Sequence, residues 1–264
     1  MTTESGFVEL NGTRLYYELA GSQDNEPIIF IHGFSLDTRM WDDQFEVFAQ
    51  RYRVLRYDVR GFGRSALPTE PYSQVDDLLA LLNHFQFAPA HLIALSMGGG
   101  IALDFALVYP NVVRSLVLVD AGLGGFAWTK DLGAPTKLAR TLGLEAAKRA
   151  WLSDELFAPA NEQLAVATRL AAIVSDYSGY HWLNHDPGRW ADLPSNRPLE
   201  QLNVPTLYIL GERDLPDFHS IAEMIAARAL NARLVTLSNV GHMSNMETPE
   251  RFNEIVLDFL SDIH

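Results

Sequence analysis

Short apolar runs recur along the chain, separated by polar or helix-patterned stretches. Residues 7–10 and 14–19 flank Asn11-Gly12, a turn dipeptide, and this predicts an N-terminal hairpin. Residues 28–31, 54–57, 91–95, 116–119, 206–210 and 233–237 predict six further strands. The middle ones are apolar without alternation, as strands covered on both faces are. Between them, residues 40–50, 73–85, 97–109, 218–229 and 249–263 carry helical patterns. Strand and helix alternate, which argues for a mostly parallel sheet flanked by helices.

One block breaks this rhythm. From residue 124 to 202 no strand is evident, while 135–152 and 162–174 have helical periodicity and an aromatic, proline-rich stretch follows. Four of the five tryptophans fall here: Trp128, Trp151, Trp182 and Trp190. We read residues 1–123 and 203–264 as one α/β core and 124–202 as a helical cap inserted after the sixth strand.

The chain has 264 residues, enough for a full core, and its 48% hydrophobic and 20% charged content is ordinary for a globular protein. The net charge of −13 opposes binding to nucleic acid or to an anionic membrane surface. No cysteine is present, which removes disulfides, thiolate metal sites and cysteine nucleophiles. The N-terminus has no signal-peptide pattern, and no apolar run reaches the roughly 18 residues of a membrane helix. A cytoplasmic protein with no membrane or nucleic-acid partner is expected; the oligomeric state is not legible.

Within this frame, residues 91–106 run from a strand through Ala94-Leu95-Ser96-Met97-Gly98 into a helix. A serine on so sharp a turn is pushed out above the sheet, and its strained backbone needs small residues two positions away. Those residues are Ala94 and Gly98, alanine standing where the usual pattern has glycine. Upstream, Pro27-Ile-Ile-Phe-Ile ends in His32-Gly33-Phe34. A loop there can aim the Phe34 N–H at a developing oxyanion, with the Met97 N–H as its partner at the helix N-terminus. His32 reads as a structural residue that orients this loop. Gly211-Glu-Arg-Asp214 and Gly241-His242 each follow a strand and supply an acid and a base. Imidazole activates a hydroxyl near neutral pH and a carboxylate fixes its tautomer, so Ser96, His242 and Asp214 form a candidate triad. Asp120, at the end of another core strand, and Asp217 are alternative acids.

These motifs resemble the α/β-hydrolase superfamily over nearly the whole chain, including Asp58-Val-Arg-Gly61-Phe-Gly63-Arg-Ser65, which shapes a loop. Arg39-Met-Trp41-Asp, Arg53-Val-Leu-Arg-Tyr-Asp58 and Leu95-Ser-Met-Gly-Gly99 look closest to small bacterial carboxylesterases and 3-oxoadipate enol-lactonases. The resemblance implies an eight-stranded, mostly parallel sheet with a helical cap, and the chain order Ser, Asp, His fits it. It also implies hydrolysis of a small-molecule carboxylic ester through an acyl-enzyme, with neither metal nor organic cofactor.

Phe34, Met97, Phe126, Trp128, Trp182 and Met243 are candidates for an apolar acyl or aryl pocket. Arg189 is a candidate for holding a substrate carboxylate. Ser-Met-Gly-Gly also occurs in carbon–carbon bond hydrolases and cofactor-free haloperoxidases of this fold, so enol-lactone opening, carbon–carbon cleavage and perhydrolysis stay open on the same triad. A non-catalytic small-molecule receptor is the alternative of a different class. His181 and His185 have a spacing that can bind metal on a helix, but Pro187 and Gly188 follow at once, and no metal site is expected. His84, His91 and His219 read as surface or capping residues.

Overall fold

The structure is a computed structural model and describes residues 3–189, 193 and 197–263. Trp190 lies outside the described residues. Eight strands form one sheet: β1 (Glu4–Leu10), β2 (Thr13–Ala20), β3 (Pro27–Ile31), β4 (Arg53–Tyr57), β5 (Ala90–Leu95), β6 (Val113–Val119), β7 (Thr206–Gly211) and β8 (Ala232–Leu237). Their spatial order is β1-β2-β4-β3-β5-β6-β7-β8. Only the β1–β2 and β2–β4 pairs are antiparallel. Asn11 and Gly12 both have positive φ, 49° and 69°, the twist that a two-residue hairpin loop requires.

The helices are α1 (Asp42–Ala49), α2 (Gln74–Phe85), α3 (Met97–Val108), α4 (Ala134–Leu142), α5 (Leu144–Leu152), α6 (Ala158–Asn161), α7 (Leu164–Asp176), α8 (Tyr180–Leu183), α9 (Pro216–Arg228), α10 (Ser244–Glu247) and α11 (Pro249–Ser261). Helix α1 carries the chain from β3 toward one sheet edge, whereas α3 carries it from β5 toward the other. Right-handed crossovers in opposite directions put these helices on opposite faces. Helix α11 packs on α1, and α2 packs on α3. Every residue of β5 is therefore buried, as its unbroken apolar run predicts.

Several element boundaries differ from expectation for local reasons. The Asp37 carboxylate caps a 3-10 turn, Thr38–Trp41, so the regular helix starts only at Asp42. The segment expected as one helix over 135–152 is two, because Gly143 at φ 91° separates α4 from α5. Pro216, with no N–H to lose, opens α9 two residues before the expected start. His91, expected at the surface, is fully buried in β5, its Nδ1 2.7 Å from Ser115 Oγ. Burial pushes its pKa down.

Among the described residues between β6 and β7 none joins the sheet, and α4, α5 and α8 contribute Pro135, Trp151 and Trp182 to the lining of one cavity at the ends of the strands. Among the described residues, no helix is long and apolar enough to cross a membrane.

Candidate active site

The sheet order itself makes a crevice. Strand β3 lies between β4 and β5, so the chain leaves β3 in one direction and β5 in the other, and the loops that follow diverge. The loop after β3 carries His32 to Asp37, and the turn after β5 carries Ser96.

Ser96 has φ 55° and ψ −115°, a conformation that L-residues rarely adopt and that projects the side chain from the strand end. Its backbone is fixed on three sides. The Ser96 N–H donates to Val119 O at 2.9 Å, and Ser96 O accepts from Gly100 and Gly122 N–H at 3.1 and 2.9 Å. Gly98 crosses β3 so closely that a Cβ there would lie 2.6 Å from the carbonyl oxygens of both Ile31 and His32. Ala94 is accommodated within the buried strand, opposite Ile31. Gly98→Ala should therefore displace the backbone that enters the β3 loop. The expected cost is about 1–3 kcal/mol, read as a lower urea midpoint with an accompanying loss of whatever activity the wild type has.

His32 steadies that loop. The Val59 N–H donates to His32 Nε2 at 2.9 Å, which leaves the proton on Nδ1 to donate to Gly33 O at 2.8 Å. Complete burial lowers the pKa of this ring, and so the neutral tautomer is the one these bonds require. Asp58 accepts from Thr38 and Arg64 N–H, both at 2.8 Å, and Gly63 passes against its carboxylate with no room for a Cβ. The Asp58–Ser65 motif is thus a loop brace.

On the far side, His242 Nδ1 lies 2.8 Å from Asp214 Oδ2, and both side chains are almost wholly buried. Asp214 Oδ1 accepts its neighbour's amide, Leu215 N–H, at 2.7 Å. The histidine's flanking amides are also held: Glu247 accepts from Gly241 N–H at 2.8 Å and from Met243 N–H at 3.1 Å. The Phe218 ring packs against the imidazole at 4.5 Å between centroids. A Cβ on Gly211 would meet Gly241 O, so only glycine lets the β7 and β8 loops cross here.

The two alternative acids have other partners. Asp120 follows β6 directly, at φ 43°, and is wholly buried. It accepts from Gly211 N–H at 2.7 Å and from Ser244 Oγ at 2.8 Å. Burial, reinforced by the neighbouring Asp214 charge, pushes its pKa well above the usual carboxylate range. Asp217 accepts from Thr129 Oγ1 at 2.8 Å and from Lys130 N–H at 2.9 Å, pinning the start of the helical insertion to α9.

Ser96 and His242 line one cavity of about 710 Å³, together with Phe34, Met97, Phe126, Trp128, Trp182 and Met243. Arg189 is exposed, makes its backbone bond to Tyr72 O, and does not line this cavity. Sequence reading missed the cations that do: Lys130 and Arg197. Both are matched by acids. Arg197 holds Asp104 through two bonds, 2.7 and 2.8 Å, and Lys130 Nζ lies 2.8 Å from Glu155 and 3.0 Å from Asp154. Arg197 and Asp104 are 93 positions apart, so no local pattern announces the pair. The His181 ring stacks on Phe62 at 4.3 Å between centroids, and His185 is exposed.

A mostly parallel eight-stranded sheet, with a serine turned out at its switch point and a histidine loop opposite, defines an α/β-hydrolase fold. The profile of the alpha/beta hydrolase family matches residues 28–255, and the chain belongs to that family of hydrolases. Among curated relatives, 3-oxoadipate enol-lactonase 2 of Acinetobacter baylyi is 26% identical, over 92% of this chain and 91% of its own length. The putative carbamate hydrolase RutD of Azorhizobium caulinodans is also 26% identical, over 94% of this chain and 96% of its own. Among solved structures, a hydrolase from Pseudomonas aeruginosa PA01 superposes with a TM-score of 0.80 at 31% identity, covering 97% of this chain and 98% of that one.

Proposed function

We propose that the protein is a serine hydrolase that cleaves a small-molecule carboxylic ester through Ser96, His242 and Asp214, with residues 124–202 acting as a cap. The observation that carries this reading is the strained Ser96 in the same cavity as an imidazole whose far nitrogen is held 2.8 Å from a buried carboxylate. With Nδ1–H bound to Asp214, Nε2 is the free base that can take the Ser96 proton. Ser96 Oγ attacks the ester carbonyl, and the Phe34 and Met97 N–H groups stabilise the oxyanion, each such donor being worth roughly 3–4 kcal/mol of barrier. His242 returns the proton to the departing alcohol. Water then repeats the sequence on the acyl-enzyme, releasing the acid and restoring Ser96.

Pocket chemistry narrows the substrate. The walls are aromatic and aliphatic, and both lining cations already face carboxylates. A second anion would enter this space uncompensated, which is costly, so an uncharged apolar acyl or aryl group fits best. Hydrolysis of 4-nitrophenyl butyrate should exceed that of the mono-4-nitrophenyl ester of succinate by at least about tenfold in kcat/KM. A preference for the succinate ester would sink the neutral-substrate reading. Lactone opening is the second reading, favoured by the enol-lactonase relative. It uses the same steps, with the leaving oxygen still tethered to the acyl group, and a panel of uncharged lactones separates the two.

A further inference from the structure

The loop that would supply the Phe34 oxyanion donor is closed by a turn, Leu36 N–H to Gly33 O at 3.3 Å. Within that turn Ser35 has φ 61°, the left-handed region in which glycine or asparagine is at ease and serine is strained. Something must hold it there. The Ser35 side chain is buried, and its Oγ accepts a 2.7 Å bond from the indole Nε1–H of Trp151. Trp151 belongs to α5 of the helical insertion, 116 positions downstream. The Phe34 ring is gripped from the same side, by Tyr177 at 5.7 Å and Trp182 at 6.1 Å, and from the core side by Phe62 at 5.5 Å. Both the backbone conformation and the side chain of this loop are therefore set by contact with the insertion.

The geometry points to Trp151 as a positioning residue: its indole N–H latches Ser35 and thereby aims the Phe34 amide, so that the oxyanion hole is complete only when the cap is seated on the core. This rests on the serine-hydrolase reading above. A donor aimed at the oxyanion acts in the transition state and little on bound substrate, so its loss lowers kcat and leaves KM. Trp151 also lines the cavity, and a residue that is merely a wall has the opposite signature, a higher KM at unchanged kcat.

The test compares Trp151→Phe, Ser35→Ala, their double variant, Ser35→Gly and Ser96→Ala on 4-nitrophenyl butyrate, in variants whose thermal melts show a folded protein. Trp151→Phe keeps an aromatic ring in place while removing the donor and part of the indole. Trp151→Phe and Ser35→Ala should each lower kcat by about tenfold with KM within about twofold. The double variant should be no worse than the poorer single one, because one bond has been removed twice. Ser35→Gly should stay within about threefold of wild type, since glycine holds positive φ without a latch. Full kcat in Trp151→Phe, or losses that multiply in the double variant, would overturn the latch while Ser96→Ala remained inactive. If Trp151→Phe does not fold, the contrast between Ser35→Ala and Ser35→Gly decides alone: equal kcat in the two overturns the proposal. Wild-type turnover retained in Ser96→Ala would instead overturn the serine-hydrolase reading, and the latch with it.

Discussion

Ser96→Ala should lower kcat on 4-nitrophenyl butyrate by about 10⁵- to 10⁶-fold, while binding of a butyrate product inhibitor is unchanged. On the proposed mechanism Ser96 forms the covalent intermediate; among the described residues that line the cavity it is the only serine, His242 is held at Nδ1 by Asp214, and the chain has no cysteine. The substitution is structurally mild. Ser96 is fixed through its backbone, to Val119 O, Gly100 N–H and Gly122 N–H, and these bonds do not involve the hydroxyl. Alanine should therefore sit in the same turn with little change in melting temperature. Because the oxyanion hole and binding alone leave about 10³–10⁴-fold over water, only a kcat within about a hundredfold of wild type would mean that another residue attacks.

Asp214→Asn should lower kcat by about 10⁴-fold with little change in KM, because it breaks the tautomer rather than the geometry. As a carboxylate, Asp214 accepts from His242 Nδ1–H at 2.8 Å and leaves Nε2 free to act as base. An asparagine amide placed there donates to Nδ1 and sends the imidazole proton to Nε2, where it blocks transfer from Ser96. The informative contrast is Asp120→Asn. Asp120 is buried beside Asp214, and burial together with the Asp214 charge favours its neutral form, which an amide resembles. We expect Asp120→Asn to stay within about tenfold of wild type, the loss coming from rearranged bonds to Gly211 N–H and Ser244 Oγ. There is a pH corollary. A carboxyl whose folded pKa is raised favours the fold below the usual carboxylate range, and that contribution is lost as pH rises through the folded pKa. Replacing Asp120 by asparagine should therefore flatten the decline of stability with rising pH above the usual carboxylate range. Urea midpoints measured across pH check this, and an unchanged slope would mean that Asp120 is ionised in the fold.

What could be read in advance divides by range along the chain. The eight strands were legible because β3 to β7 are short apolar runs separated by helical periods, and because Asn11-Gly12 marks the hairpin. Ser96, Asp214 and His242 each stand just beyond a strand, so a local motif places each one, and the sheet then brings the last two together. Contacts between distant segments carried no such signal. The pairing of Arg197 with Asp104 and the bond from Trp151 to Ser35 join residues roughly a hundred positions apart, with nothing in the neighbouring sequence to mark them. Arg189 was a reasonable candidate because an arginine in an aromatic loop looks like an anion site, but its backbone is drawn to Tyr72 and its side chain stays exposed. His91 misled for a related reason: its buried partner Ser115 is on the neighbouring strand, which only the β5–β6 register reveals.

Acylation of Ser96 is the step on which the proposed mechanism depends. The most direct measurement is to react the wild type and Ser96→Ala with an alkyl fluorophosphonate, which releases fluoride as a serine oxygen attacks phosphorus, and to map the adduct by peptide mass spectrometry. One phosphonyl group is expected on the peptide containing Ser96, and none on the variant. An unlabelled wild type, or an adduct on any other residue that persists in Ser96→Ala, would contradict it.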